Sequence, residues 1–201
     1  MEKEGILNKS ALDFSKKSEI LQTIIIGIIA LVIPTFLATW IQAIFGKASF
    51  IANNSQIIIG SIVNTALIIT AINLKGWKST ALVVTMPSIS TILSGYVFGT
   101  ASVFMAYMIP AIWIGNFALV YSYKAIIIAK SKNYFLAGVV GIVVKVAIIF
   151  GMFSILKAFG IFPTKIVSTL QTAMSLTQLI TATIGMIIAF AIYKIEIMKS
   201  K

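Results

Sequence analysis

One lysine, Lys145, lies near the middle of an apolar run that extends from residue 134 to residue 156. The chain contains no Asp or Glu between Glu19 and Glu196, so it supplies no carboxylate to pair with this cation. A charge at mid-membrane depth costs several kcal/mol unless it meets water or a partner. In one interpretation the missing anion belongs to a ligand, and Lys145 is a ligand contact. In the other, Lys145 snorkels, or is neutral against backbone carbonyls at a helix break.

A stripe of polar and small residues marks the last apolar run of the chain. Its members recur at the spacing of one helix face: Gln171, Ser175, Gln178, Ala182 and Gly185. The first three could hydrogen-bond a ligand or a neighbouring helix, because buried amides need partners. The lower part continues to Ala189, and its small residues favour close helix packing instead.

A third candidate group lies in the fourth apolar run. Tyr107 and Trp113 offer ring faces on which a cyclic ligand could stack, and Pro110 between them frees a backbone carbonyl one turn back. Asn116 is a polar group at membrane depth. A hydrogen bond to a neighbouring helix explains Asn116 most simply, but it stays a ligand-binding candidate. Asn64, in the second run, is a weaker signal of the same kind.

The composition excludes several kinds of chemistry. The chain has no Cys and no His, and its five acidic residues lie near the termini. Thiol chemistry, imidazole catalysis and most transition-metal sites are therefore excluded, as is an intramembrane carboxylate relay. We expect no catalytic residues, no metal and no cofactor, and the chain is not predicted to be an enzyme. The net charge of +11 is better explained by lysines in cytoplasmic loops than by a nucleic-acid partner.

The mean hydropathy of +1.05 predicts an all-α, multi-pass membrane protein with six transmembrane helices. The third predicted span is interrupted at residues 86–88, around Pro87. The spans, each containing about 20 apolar residues, are Ile20–Phe45, Ile57–Leu74, Thr80–Phe98, Ala101–Tyr123, Phe135–Leu156 and Val167–Tyr193.

The distribution of lysines predicts the orientation. Twelve of the sixteen lysines fall on the side of the two termini, three fall on the other side, and Lys145 lies between. Basic loops are cytoplasmic, so both termini are expected inside the cell, in the inner (plasma) membrane. The predicted organisation is a cytoplasmic segment 1–18, a six-helix domain 19–195 and a cytoplasmic tail 196–201. The first segment is either an amphipathic helix on the membrane lipids, with Leu7, Ala11 and Phe14 on one face, or a disordered tail.

Over residues 20–195 the chain resembles the S components, the substrate-binding membrane subunits, of energy-coupling factor (ECF) vitamin transporters. The resemblance rests on six spans in about 200 residues, both termini inside, and two stretches, 109–116 and 178–189. It implies a compact six-helix bundle whose pocket opens to the outside. It also implies a transmembrane coupling subunit and two ATPase subunits as partners. Many family members contact the coupling subunit through Ala-x-x-x-Ala in the first helix, where this chain has Ala30, Pro34 and Ala38.

These observations predict a substrate-capture subunit that binds a vitamin-like or precursor small molecule with an anionic group. The pocket is expected in the outer half, between the fourth, fifth and sixth spans, with Lys145 at its floor. The alternative is a non-transport scaffold or accessory subunit of a membrane enzyme complex, with a packed interior and no ligand. The candidate ligand-binding residues are Lys145, Gln171, Ser175, Gln178, Trp113, Tyr107 and Asn116.

Overall fold

The computed structural model describes residues 6–10, 15–46, 49–94, 99–128 and 133–199. Within these ranges the chain is helical, with short connections and no β-strand. A 3₁₀ helix, Gly99–Met108, leads directly into the α-helix Ile109–Tyr123. A π-helical turn, Lys124–Ile128, follows that α-helix. The α-helices of the described chain are α1 Lys16–Phe45, α2 Phe50–Asn53, α3 Ser55–Asn73, α4 Trp77–Ser94, α5 Ile109–Tyr123, α6 Tyr134–Ala158, α7 Thr164–Met174 and α8 Leu176–Lys199.

Five helical stretches of the described chain are long and apolar enough to cross a membrane. The predicted all-α architecture is therefore confirmed for the described residues, and the five apolar helices suggest a multi-pass membrane protein. Helix α4 is not among the five, so the count of six spans and the side on which the termini lie stay predictions. The five stretches are Lys16–Phe45, Ser55–Asn73, Val103–Ile128, Tyr134–Ala158 and Thr164–Ile195.

The predicted break at Pro87 is wrong, because α4 continues through this residue as α1 continues through Pro34. In both helices a neighbouring helix donates a hydrogen bond to the carbonyl three residues before the proline. Ser90 Oγ donates to Leu31 O at 2.7 Å. Asn116 Nδ2 donates to Val84 O at 3.3 Å. Such donors satisfy carbonyls that a proline disturbs, so the helix can continue.

Pro110 marks a change of helix type. It lies in the first turn of α5, where the 3₁₀ helix changes to an α-helix. The missing N–H of a proline costs no intrahelical hydrogen bond at that position. Pro110 therefore begins the α-helical part of the fourth span.

The sixth predicted span is not one continuous helix. It is divided at Ser175, whose backbone angles of φ −119° and ψ −89° are not helical. The preceding helix, α7, is amphipathic and buries Leu170, Ala173 and Met174. Because of the break, Gln171 and Gln178 do not share a helix face. The predicted polar stripe is thus two separate features.

Hydrogen bonds align the helix ends at one end of the bundle, which we call the lysine-rich end. Lys124 Nζ, at the end of α5, donates to Leu74 O after α3 at 2.6 Å. It also donates to Lys9 O of the N-terminal segment at 2.8 Å. The backbone N–H of Lys75 donates to Glu19 Oε1 near the start of α1. The ends of α3 and α5 therefore lie beside the starts of α1 and α4.

The N-terminal segment is described in part. Ile6–Asn8 form a 3₁₀ turn, and Gly76 N donates to Leu7 O at 2.6 Å, which holds the segment on the loop between α3 and α4. Residues 11–14, which carry the rest of the predicted amphipathic face, lie outside the described residues. The amphipathic helix on the membrane surface stays a prediction.

Candidate ligand-binding site

A cavity lies inside the bundle, in the half away from the lysine-rich end. The volume of this cavity is about 80 Å³. The helix directions show this position. Helices α3 and α5 end at the lysine-rich end, and the cavity is lined by residues of their first halves. Helix α4 begins at the lysine-rich end, and the cavity is lined by residues of its second half. The lining residues are Pro34, Gln56, Ile59, Gly60, Val63, Asn64, Pro87, Ser88, Met105, Ile109, Ile112, Asn116, Lys145, Thr177, Gln178 and Thr181.

Lys145 is the cation of this cavity. Its side chain is only 2% exposed, and Nζ donates to Asn64 Oδ1 at 2.5 Å. The partner is a neutral amide, and the chain has no Asp or Glu between Glu19 and Glu196. The lysine is therefore anchored, but its charge is not neutralised by a carboxylate of the span region. An ammonium group has three N–H donors, so two remain for whatever occupies the cavity.

Asn64 is held so that its oxygen faces the lysine. Its Nδ2 donates to Gly60 O at 2.8 Å and to Thr181 Oγ1 at 3.2 Å. Thr181 Oγ1 in turn donates to Gln178 O at 3.3 Å. With both amide donors used on α3 and α8, the amide oxygen is left as the acceptor for Lys145. This chain of bonds connects α6 to α8 through Asn64.

Two glycines allow α3 and α8 to approach closely enough for this network. A Cβ atom on Gly60 would lie 2.7 Å from Thr181 Cγ2. A Cβ atom on Gly185 would lie 2.7 Å from Asn64 Cβ and 2.9 Å from Thr65 N. Both distances are too short for van der Waals contact, so only glycine permits this packing. The small residues of the lower stripe pack against α3, as expected from the sequence.

The rest of the lining combines polar groups with apolar walls. Ser88 Oγ is buried and has no hydrogen-bond partner among the described residues. Asn116 Nδ2 is occupied by Val84 O, and Gln178 Nε2 donates to Ala173 O at 3.3 Å. The walls are formed largely by prolines and aliphatic side chains. A site with a few convergent polar groups in an apolar cavity is typical of small-molecule binding.

The structure brings three of the seven candidate residues together in the cavity: Lys145, Asn116 and Gln178. Asn116 fits both interpretations, because it bonds the α4 backbone and also lines the cavity. The cavity is wider than the expected site between three spans. It is also lined by α1, α3, α4 and the 3₁₀ helix before α5.

The other four candidates lie outside the lining. Tyr107 is 55% exposed and Trp113 is 36% exposed. Gln171 accepts a hydrogen bond from Lys157 Nζ at 3.3 Å and belongs to a separate surface groove between α6 and α7. Ser175 Oγ donates to the backbone carbonyl of Gln171 at 2.5 Å. A ligand-binding role for these four stays a prediction.

Asn64 and Ser88 were weak signals in the sequence and were not among the seven candidate ligand-binding residues, although both line the cavity. The available signal for Asn64 was an amide within an apolar span, four residues after Gly60. The signal for Ser88 was its place directly after Pro87, in a segment rich in hydroxyl groups. Neither signal shows which of the many polar residues line the cavity with Lys145, because that depends on how the helices pack.

No protein-family model, no curated protein and no solved structure matches this chain.

Proposed function

We propose that this chain is the substrate-capture subunit of an ECF-type importer and binds a vitamin-like or precursor small molecule that carries an anionic group. The observation that supports this function best is the cavity beside Lys145. A buried cation, held by a neutral amide and facing open volume, has the properties of an anion-binding site. A scaffold protein has no evident need for a charge that costs energy to bury.

The proposed topology has six spans, with both termini in the cytoplasm and α4 as the third span. Its basis is the excess of lysines on the side of the termini. In this orientation the lysine-rich end of the bundle faces the cytoplasm. The cavity, which lies in the opposite half, then faces the outside of the plasma membrane. Capture from the outside is what a subunit for uptake requires.

The proposed partners are a transmembrane coupling subunit and two ATPase subunits, as the resemblance to S components implies. The span region has no carboxylates for coupling to an ion gradient, so transport needs energy from another protein. The small residues of the first span are buried: Ala30 is 1% exposed and Ala38 is 0% exposed. The coupling contact is therefore proposed for a surface other than this stripe.

The test is purification in mild detergent followed by native mass spectrometry. The wild-type protein should retain a small molecule together with the coupling and ATPase subunits. The Lys145→Met variant should lose the small molecule and keep the subunits. The matched control is Lys165→Met, which removes an exposed lysine of α7 and should retain both.

Two results would contradict the proposal. Equal retention of the small molecule by the wild type and by Lys145→Met would remove the lysine from the site. Co-purification of an enzyme complex, with no bound small molecule, would favour the scaffold function instead.

A further inference from the structure

We infer that the ligand is a small monocarboxylate, bound through its carboxylate to Lys145, and that phosphate esters and zwitterions are excluded. This inference rests on the proposed function, since it names the substrate class of the same site. It follows from three properties of the cavity: its charge, its unused hydrogen-bond donors and its volume.

The charge of the cavity matches a single anionic group. Among the described residues of the lining, Lys145 is the one that carries a charge. A carboxylate brings one negative charge, so the occupied site is neutral overall. A phosphate monoester brings nearly two negative charges at neutral pH and leaves one without a counter-charge in a low-dielectric interior. A zwitterion would need a carboxylate for its ammonium group, and the described residues of the lining include none.

The unused donors match the two oxygens of a carboxylate. Asn64 Oδ1 takes one donor of Lys145, which leaves two N–H groups. Ser88 Oγ supplies a further buried donor, and no described residue accepts its hydrogen. Buried polar groups are nearly always hydrogen-bonded, so an unpartnered hydroxyl in a cavity lining points to a group that arrives with the ligand.

The volume and the walls limit the rest of the ligand. The volume of about 80 Å³ lies below the roughly 300–1,000 Å³ of sites for drug-sized molecules, so the ligand is expected to be small. The walls of the cavity include Pro34, Val63 and Ile112. These side chains suit an apolar body, such as a single ring or a short branched chain.

The test uses three probes that differ only in the polar group on one ring: benzoate, benzamide and phenyl phosphate. Binding to the purified protein is measured by calorimetry and by thermal stabilisation, after any co-purified ligand has been removed. Benzoate should bind at least tenfold more tightly than benzamide, which has the same shape without the charge. It should also bind at least tenfold more tightly than phenyl phosphate.

The decisive variant is Asn64→Asp, which places the missing carboxylate inside the chain. The new carboxylate neutralises Lys145 from the position of the present amide oxygen and repels a second anion. Benzoate binding should fall at least 100-fold, while any binding of benzamide should change less than threefold. Lys145→Met removes the cation instead and should also abolish benzoate binding, so the test holds if Asn64→Asp fails to fold. Lys165→Met should bind like the wild type.

Each other outcome has a defined meaning. Tighter binding of phenyl phosphate or benzamide that still depends on Lys145 would overturn the monocarboxylate class but leave ligand capture intact. If none of the probes binds, the molecule that co-purifies with the wild type decides: a monocarboxylate supports the inference, and any other class refutes it. If no probe binds and nothing co-purifies, both the inference and the proposed function fail.

Discussion

Removal of Asn64 should destabilise the protein more than removal of the lysine that it holds. In Asn64→Leu, a residue of similar size replaces the amide, and Lys145 loses its acceptor at 2.5 Å. A hydrogen bond to a charged group contributes about 1.5–3 kcal/mol, and the loss of one partner of a buried ion pair costs about 3–5 kcal/mol. The partner here is a neutral amide, so the cost should lie nearer to that of a hydrogen bond to a charged group than to that of a broken ion pair. We expect a loss of about 2–3 kcal/mol.

Lys145→Met should have a much smaller effect on the unliganded protein. The substitution leaves Asn64 Oδ1 buried without its donor, which costs about 1–3 kcal/mol. It also removes a lysine from mid-membrane depth, which is worth about 2.5–3.5 kcal/mol. The two terms nearly cancel. The variant should therefore lie within about 1 kcal/mol of the wild type, or be slightly more stable.

The assay is reversible unfolding in mixed micelles, with no ligand present, of the wild type, both single variants and the double variant. The double variant removes the amide and the charge together, so it should be clearly more stable than Asn64→Leu alone. Equal and large losses in the two single variants would refute the reasoning. Lys145 would then be a structural anchor for the helix packing, and the argument for an anion site would lose its energetic basis.

Two further predictions concern the helix packing at the site and the attachment of the N-terminal segment at the lysine-rich end. Gly185→Ala should destabilise the protein by about 1–3 kcal/mol and weaken ligand binding, because the new Cβ would lie 2.7 Å from Asn64 Cβ. The control is Gly151→Ala, where a Cβ would have no atom within 4 Å. This variant should be neutral or slightly stabilising in the same unfolding assay. Lys124→Met should release the N-terminal segment and raise the rate of trypsin cleavage after Lys9 about tenfold or more, because Lys124 Nζ no longer holds the Lys9 carbonyl. Lys78→Met, at an exposed position of α4, is the control and should be cleaved like the wild type.

The sequence predicted those parts of the fold that depend on local hydrophobicity. Helix α6 was expected at Phe135–Leu156 and is observed at Tyr134–Ala158. An apolar run of this length, bounded by polar residues, is the length of one transmembrane helix, so its position can be read from the sequence. The break expected at Pro87 failed for a non-local reason. The donor that supports the disturbed carbonyl of Val84 is Asn116, 32 residues away on α5, and the sequence does not show that contact.

For the candidate site too, some residues could be identified from the sequence and others depend on how the helices pack. Lys145 could be identified from the sequence because an uncompensated charge in an apolar run is exceptional wherever the helix faces. Its partner Asn64 was a weaker signal and could not be paired with Lys145, because their hydrogen bond joins helices whose contacting residues are 81 positions apart in the sequence. Trp113 was chosen for the chemistry of its ring, but its position on α5 turns it away from the cavity lining. Residue type suggests a role, and only packing decides which side chains meet.

If Lys145 binds an anion as proposed, its neutral partner has a consequence for the binding energy. A carboxylate at position 64 would hold the lysine more firmly, but it would also neutralise the charge that an incoming anion needs. An amide anchors the lysine with one hydrogen bond and leaves its positive charge available. In the proposed function, the empty site is then less stable than it could be, and a bound anion would supply the missing stabilisation. Ligand affinity and the instability of the empty site thus arise from the same buried charge.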